Sequence, residues 1–397
     1  MHLVLLSAVT WNFPLGGRSR ALTEAWVRAG QPATFVQVPS YRTLWERLTA
    51  RWRPRDSLPV VRPKPTLPVH WSGIWPSGWR AKATCRKARL LRRQLDRVVN
   101  WEEAVGIVVS PAWAPWLEEL PFRAVIYDCI DDPMVHVPDP RLVELFCAWE
   151  DRLVARVQGA VVVAESLRQR LQQRRPELPI ALIRNGVDAE GFARAARQLP
   201  RPADLPDTGR RVIGFVGALY EWVDCELIAR TARVLSECDF VFVGPHDRRG
   251  DIGKLGGLGN VRLLGYRPYA QVPAYVQAFD VCWVPFRAGP ISAACNPTKI
   301  YEYLALGKRV VTTPIADVDV FAGFVEVART PGETVACLRA MLSHEPLDTA
   351  ARMAFARANS WWDRARDFVQ FARKVAGLAD QELTATRSTG WPAGGTR

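Results

Sequence analysis

The chain has no CxxC pair: its eight cysteines stand singly at positions 85, 129, 147, 225, 238, 282, 295 and 337, and its five histidines show no ligand spacing near them. That argues against a structural zinc site and for reduced thiols in a cytoplasmic compartment. No uninterrupted apolar run is long enough to cross a bilayer. The apolar start, MHLVLLSAVTW, has no basic segment before it and reads as a first buried strand rather than a signal peptide. A cytoplasmic protein is expected, either soluble or peripheral on the inner face of the membrane. GxGxxG is also missing, which removes the dinucleotide fingerprint. No cofactor and no metal are expected. There is no internal repeat beyond a duplicated sheet pattern.

Acidic residues are scarce in one stretch. Residues 41–100 hold 15 Lys and Arg against 3 Asp and Glu, so this segment carries +12 of the chain's net +13. Trp45, Trp52, Trp71, Trp75 and Trp79 lie among these charges. Arg with Trp suits an anionic membrane surface, where the indoles settle at headgroup level. A basic insertion that binds nothing, or a nucleic-acid surface with Arg on phosphates and Trp on bases, are the other readings.

A length of 397 residues predicts two domains, and 48% hydrophobic content is enough to fill their cores. Residues 3–9, 34–38, 106–110, 124–127, 160–163 and 180–183 read as buried strands, with helical patterns at 18–29 and 141–157. Such βα alternation predicts a parallel sheet covered on both faces. The Pro- and charge-rich stretch 198–211 reads as a linker. The alternation then restarts, with strands at 212–216, 240–243, 261–264, 281–285 and 310–313 and helices at 223–236, 269–279 and 297–306. Two doubly wound α/β domains follow, 1–197 and 212–358, with the ligand expected in a cleft between them. A further helical stretch falls at 334–343. An amphipathic helix lies within 359–379, and 380–397 reads as a loose tail.

The segment with most chemical content is NPTKIYEYLALGKRVVTT, residues 296–313. Asn296 suits an N-cap, Pro297 the first helical position and Gly307 the helix stop. Lys299 and Glu302 lie three apart on one face. A helix start offering backbone N–H groups, a Lys and a Glu fits a phosphorylated, hydroxyl-rich ligand such as a sugar nucleotide, with Lys299 on phosphate and Glu302 on ribose hydroxyls. An exposed i,i+3 salt bridge is the plainer alternative. Upstream, PFRAGPI places Arg287 to meet a phosphate. In GFVGALYEWVD, Gly214 and Gly217 allow close ligand approach or simple helix–sheet packing. IRNGVD at 183–188 gives only a turn signal. In the first half, Gly16, Gly17 and Arg18 stand at the first βα turn, where an anion or acceptor can be met. YDCIDDP at 127–133 offers Asp128, Asp131 and Asp132 near a strand end. One of these can take a proton from an attacking hydroxyl, or they cap the next turn. His136 is a further candidate base.

Taken together these motifs resemble the GT-B glycosyltransferases of the broad family-four-like group. NGVDAEGF, GNVRLLGY, FDVCWVPF and KIYEYLALGKRVVTTP occur in the family's order and spacing, most strongly over residues 145–345. The resemblance implies a GT-B fold with a C-terminal helix crossing back to the first domain. It implies metal-independent, hexosyltransferase-type transfer of a sugar from a nucleotide donor (UDP- or GDP-sugar) to a hydroxyl of a glycan or lipid-linked acceptor, as in surface or extracellular polysaccharide assembly. The donor side would comprise Gly217, Arg287, Asn296, Lys299 and Glu302, and the acceptor side Gly16, Gly17 and Arg18. Asp131 or Asp132 would be the base if configuration inverts. If it is retained, the diphosphate itself assists. The family's Glu-x7-Glu pair is broken, because Ala294 stands eight positions before Glu302. Tyr220, Glu221 and Trp222 replace the usual basic residues after the first loop of the donor domain. An epimerase-like enzyme on the same fold, or a non-catalytic membrane- or nucleic-acid-binding protein that kept it, are the rivals. With a glycosyltransferase, no nucleic-acid partner is expected.

Overall fold

Among the described residues of the computed structural model, every strand runs parallel to its sheet neighbours. The structure describes residues 1–9, 11, 17–37, 60–61, 77–136, 143–246, 251–343 and 348–379, with backbone alone at 60–61, 77–84 and 135–136. Gly16, the side chain of His136, all five tryptophan side chains of the basic segment and the tail at 380–397 therefore lie outside the described residues. The described residues form two compact units. One comprises 1–163, 167–183 and 365–379, the other 164–166 and 184–364.

The first unit carries β1 (His2–Leu6), α1 (Arg18–Arg28), β2 (Ala33–Val36), β3 (Val60–Val61), α2 (Ser77–Leu95), β4 (Ala104–Val108), β5 (Ala124–Cys129), α3 (Val143–Arg156), β6 (Gly159–Val162), α4 (Glu165–Arg174) and β7 (Ile180–Leu182). Its sheet has the order β3-β2-β1-β4-β5-β6-β7. The inner strands are runs such as AVGIV, buried at every position, as a sheet covered on both faces requires. Helix α2 falls inside the basic insertion, for which the sequence predicts no helix. Its buried face of Ala88, Leu91 and Leu95 follows the helical period.

The second unit carries α5 (Ala189–Gln198), β8 (Val212–Val216), α6 (Cys225–Val234), β9 (Asp239–Val243), β10 (Val261–Gly265), α7 (Val272–Ala278), β11 (Val281–Val284), α8 (Thr298–Ala305), β12 (Arg309–Thr312), β13 (Val325–Val327), α9 (Pro331–Ser343) and α10 (Thr349–Ala358). The order here is β10-β9-β8-β11-β12-β13. Asp188 and Asp224 cap α5 and α6, accepting from Gly191 N (3.0 Å) and Leu227 N (2.9 Å). Gly214 in β8 is a packing glycine, because a Cβ there would sit 2.1 Å from the Phe279 ring.

The last helix, α11 (Trp361–Val375), starts on Ser360, whose hydroxyl accepts from Asp363 N at 3.1 Å. From Ala365 onward it belongs to the first unit. There the Trp26 indole donates to Ala365 O at 3.1 Å and its ring meets Phe368 at 5.2 Å. None of the eight cysteines is in a disulfide. Among the described residues no helix is long and apolar enough to cross a membrane.

Candidate functional site

In each sheet the strand order reverses once, between β1 and β4 and between β8 and β11. In doubly wound sheets the loops after such strands open a crevice where ligands bind. In the second unit the loops after β8 and β11 begin at Gly217 and Pro285, and α8 follows the second of them.

Gly217 has φ 150°, and its N–H donates to Val243 O at 2.9 Å. A Cβ on Gly217 would stand 2.9 Å from Lys299 Cε, and a Cβ on Gly244 would stand 2.0 Å from Gly217 O. The turns after β8 and β9 thus touch backbone to backbone, and the Lys299 side chain lies against the first of them. Lys299 Nζ lies 4.8 Å from the Phe286 ring centroid and 5.3 Å from that of Phe215. Among the described residues no carboxylate comes within ion-pair distance of it. Burial lowers its pKa below 10.5, against the opposing pull of Cys295 and Glu302.

Glu302, one turn further along α8, is 6% exposed. Tyr269, at the start of the 3-10 turn Tyr269–Gln271, donates its hydroxyl to Glu302 Oε1 at 2.6 Å. Burial raises the Glu302 pKa above 4.5, outweighing the Tyr269 hydrogen bond and the Lys299 charge. The next residue, Tyr303, is fully buried and accepts from Val216 N at 2.8 Å, fixing α8 against the end of β8.

Two expectations at the start of α8 need correction. Helix α8 begins at Thr298 with Pro297 in the cap position, and no side chain caps it. Asn296 is held elsewhere: its Oδ1 accepts from Asn185 N at 2.9 Å and from Tyr301 OH at 3.2 Å, and Asn185 Nδ2 donates to Asn296 O at 2.6 Å. The amide therefore ties the NGVD turn to α8 instead of capping the helix. Arg287 is about half exposed and sits 3.6 Å from Asp251 Oδ2. The loop behind it and the turn after β12 bound a hollow of about 420 Å³, with Gly289, Ser292, Ala293, Ile315 and Asp317 in its wall.

In the first unit two separately noticed residues prove to be partners. Arg18 Nε donates to both oxygens of Asp128, at 3.1 and 3.0 Å, and the two residues are 4% and 0% exposed. Arg18 therefore is not presented to an acceptor at the surface; its guanidinium is engaged inside. Burial raises the Asp128 pKa in spite of Arg18. Gly17 precedes α1 with φ 144°. Asp132 Oδ1 accepts from Met134 N at 3.0 Å, the turn-capping alternative, and Arg170 lies 3.8 Å from the same atom. Asp131 is partly buried beside it.

Sequence reading missed the residues that hold these groups. Tyr269 and Asn185 looked like a helix start and a turn former. Below Asp132, Glu150 is fully buried and accepts from Tyr127 OH at 2.9 Å and from Arg170 at 2.7 and 2.9 Å. Only the unusual Glu at an apolar-face position of α3 could have signalled it.

Residues 210–344 match the family described as glycosyl transferases group 1. TuaH of Bacillus subtilis (strain 168), a protein named as a teichuronic acid biosynthesis glycosyltransferase, is 33% identical over 133 residues. That match covers 33% of this chain and 33% of that protein, so the chain matches about a third of the relative's length. The sucrose-phosphate synthase from Thermosynechococcus elongatus is similar in structure, with TM-score 0.69 at 15% identity over 95% of this chain and 100% of that one. An α,α-trehalose 6-phosphate synthase from Burkholderia multivorans gives TM-score 0.64 at 15% identity over 95% and 99%. At such identities the likeness shows the shared fold alone.

Proposed function

We propose, from the premise that the chain has the GT-B fold and that its residues 210–344 belong to the glycosyl transferases group 1, that this protein moves a sugar from a nucleotide-sugar donor to a hydroxyl of a glycan or lipid-linked acceptor. The observation that carries the reading is Lys299. It is a partly buried ammonium at the start of a helix, against a glycine turn and over two rings, with no carboxylate in ion-pair range among the described residues. A group so placed is suited to an arriving anion, and the N–H groups at the start of α8 add to its field. Glu302, three residues on, accepts hydrogen bonds from the ribose hydroxyls. Gly217, whose missing Cβ gives the Lys299 side chain its place, lies beside the diphosphate, and Arg287 with the start of α8 that Asn296 anchors completes the donor side. The donor sugar would lie toward the hollow lined by Ser292 and Asp317.

The chemistry follows from charge. Breaking the bond to the anomeric carbon leaves negative charge on the departing diphosphate, and Lys299 with the α8 start stabilises it without calling on a metal. With retention, the leaving phosphate takes the acceptor proton. With inversion, Asp131 or Asp132 takes it. The named role of TuaH supports a place in surface polysaccharide assembly. Arg86 and Arg93 on α2 are exposed and have no acidic partner among the described residues, which supports peripheral docking on an anionic membrane from the cytoplasmic side.

Thermal-shift measurements with UDP, GDP and their sugars test the donor assignment. At least one should raise the melting temperature of the parent, and Glu302→Ala should abolish that rise. An equal rise in the variant would refute the assignment.

A further inference from the structure

We infer that Tyr269 is a positioning residue that fixes the Glu302 carboxylate as the acceptor for the ribose hydroxyls of the nucleotide, an inference resting on the proposed ribose role of Glu302. Glu302 is 6% exposed, and only one oxygen, Oε1, is given a hydrogen bond by Tyr269, at 2.6 Å. Tyr269 stands 33 residues earlier, in a different element. Its ring is held against Phe192 of α5, with centroids 6.4 Å apart and planes at 50°. The hydroxyl is thus delivered from a turn outside α8 and cannot swing with the helix.

Two consequences for the carboxylate follow. A donor on Oε1 sets the rotation of the carboxyl plane, so Oε2 has a defined direction. It also favours the ionised form against burial, which pushes the other way. An ionised, oriented carboxylate accepts from hydroxyls; a protonated or rotating one does so poorly. The Tyr269 hydroxyl donates to Glu302, so removing it should act through the ribose contact.

The probes are the nucleoside diphosphate that binds the parent, UDP or GDP, and its 2′,3′-dideoxy counterpart, titrated by calorimetry. Tyr269→Phe keeps the ring against Phe192 and removes only the oxygen. It should weaken the ribonucleotide by about five- to tenfold and leave the dideoxynucleotide as in the parent. Added to Glu302→Gln, it should weaken binding little further, because both changes act on one contact. Equal binding of the ribonucleotide by parent and Tyr269→Phe would overturn the inference. So would an equal loss for both nucleotides, which marks a general disturbance of the site. A parent that does not distinguish ribose from dideoxyribose would instead remove the ribose role of Glu302 itself, and this inference with it.

Discussion

Replacing Lys299 by Met should weaken nucleotide binding and raise stability together. Methionine keeps the unbranched stem over Phe215 and Phe286 and retains a favourable sulfur–ring contact. What it removes is the charge. A hydrogen bond from an ammonium to phosphate contributes about 1.5–3 kcal/mol, so the dissociation constant for UDP or GDP should rise roughly 10- to 150-fold. The unliganded protein should melt higher at neutral pH, because the lowered Lys299 pKa means that burial of the charge outweighs its attractions. The pH dependence carries its own sign. Below the folded-state pKa, Lys299 is charged in both states and its penalty is constant. Between that pKa and 10.5, the unfolded chain binds more protons than the folded one, so stability rises with pH. The gap in melting temperature between parent and Lys299→Met should therefore close as pH climbs toward 10.5. Calorimetric titration at pH 7 and melting curves from pH 7 to about 10.5 test this. Unchanged nucleotide affinity, or a variant that melts lower than the parent, would refute the reasoning.

Asp128→Asn should cost about 3–5 kcal/mol in urea unfolding, because it leaves the Arg18 guanidinium buried beside a neutral amide; a loss under ~1 kcal/mol would mean that the pair is worth no more than a surface one. Gly244→Ala puts a Cβ 2.0 Å from Gly217 O at a backbone φ of 152°, so both the melting temperature and nucleotide affinity should fall, and a fall in stability alone would separate the turn from the ligand. Arg86→Glu with Arg93→Glu reverses two exposed charges on α2, which should release the protein from liposomes rich in phosphatidylserine while far-UV circular dichroism stays as in the parent; undiminished sedimentation would exclude this helix as the docking face.

Much of the architecture could be read along the chain because parallel strands buried on both faces leave apolar runs. VIGFV at 212–216 begins and ends where the structure has β8. Val60–Val61 and Val325–Val327 passed unnoticed, since two or three residues cannot display a period. Helix α2 was hidden by its own charge, although Ala88, Leu91 and Leu95 recur at helical spacing. Lys299 and Glu302 were legible because both lie within one turn of one helix. Their setting was not. Glu302 meets Tyr269 from 33 residues away, and Asn296 meets Asn185 from 111. A local rule made Asn296 a cap, and a distant backbone N–H won its side chain. Arg18 and Asp128 each looked functional for the same reason: sequence shows a charge near a strand end but not the opposite charge that faces it.

The Arg18–Asp128 pair closes a separation of 110 residues and links the start of α1 to β5, with β4 lying between β1 and β5 in the sheet. Its formation has to wait until those three strands are side by side. A contact of this kind is expected on the late, downhill side of the folding barrier, where contacts set the lifetime of the native state more than the speed of reaching it. Loss of the pair should steepen the escape from the folded basin and leave the refolding rate nearly as it was. On that expectation the clamp beneath the first βα turn is a kinetic lock on the first unit, and the unfolding rate of Asp128→Asn measures it.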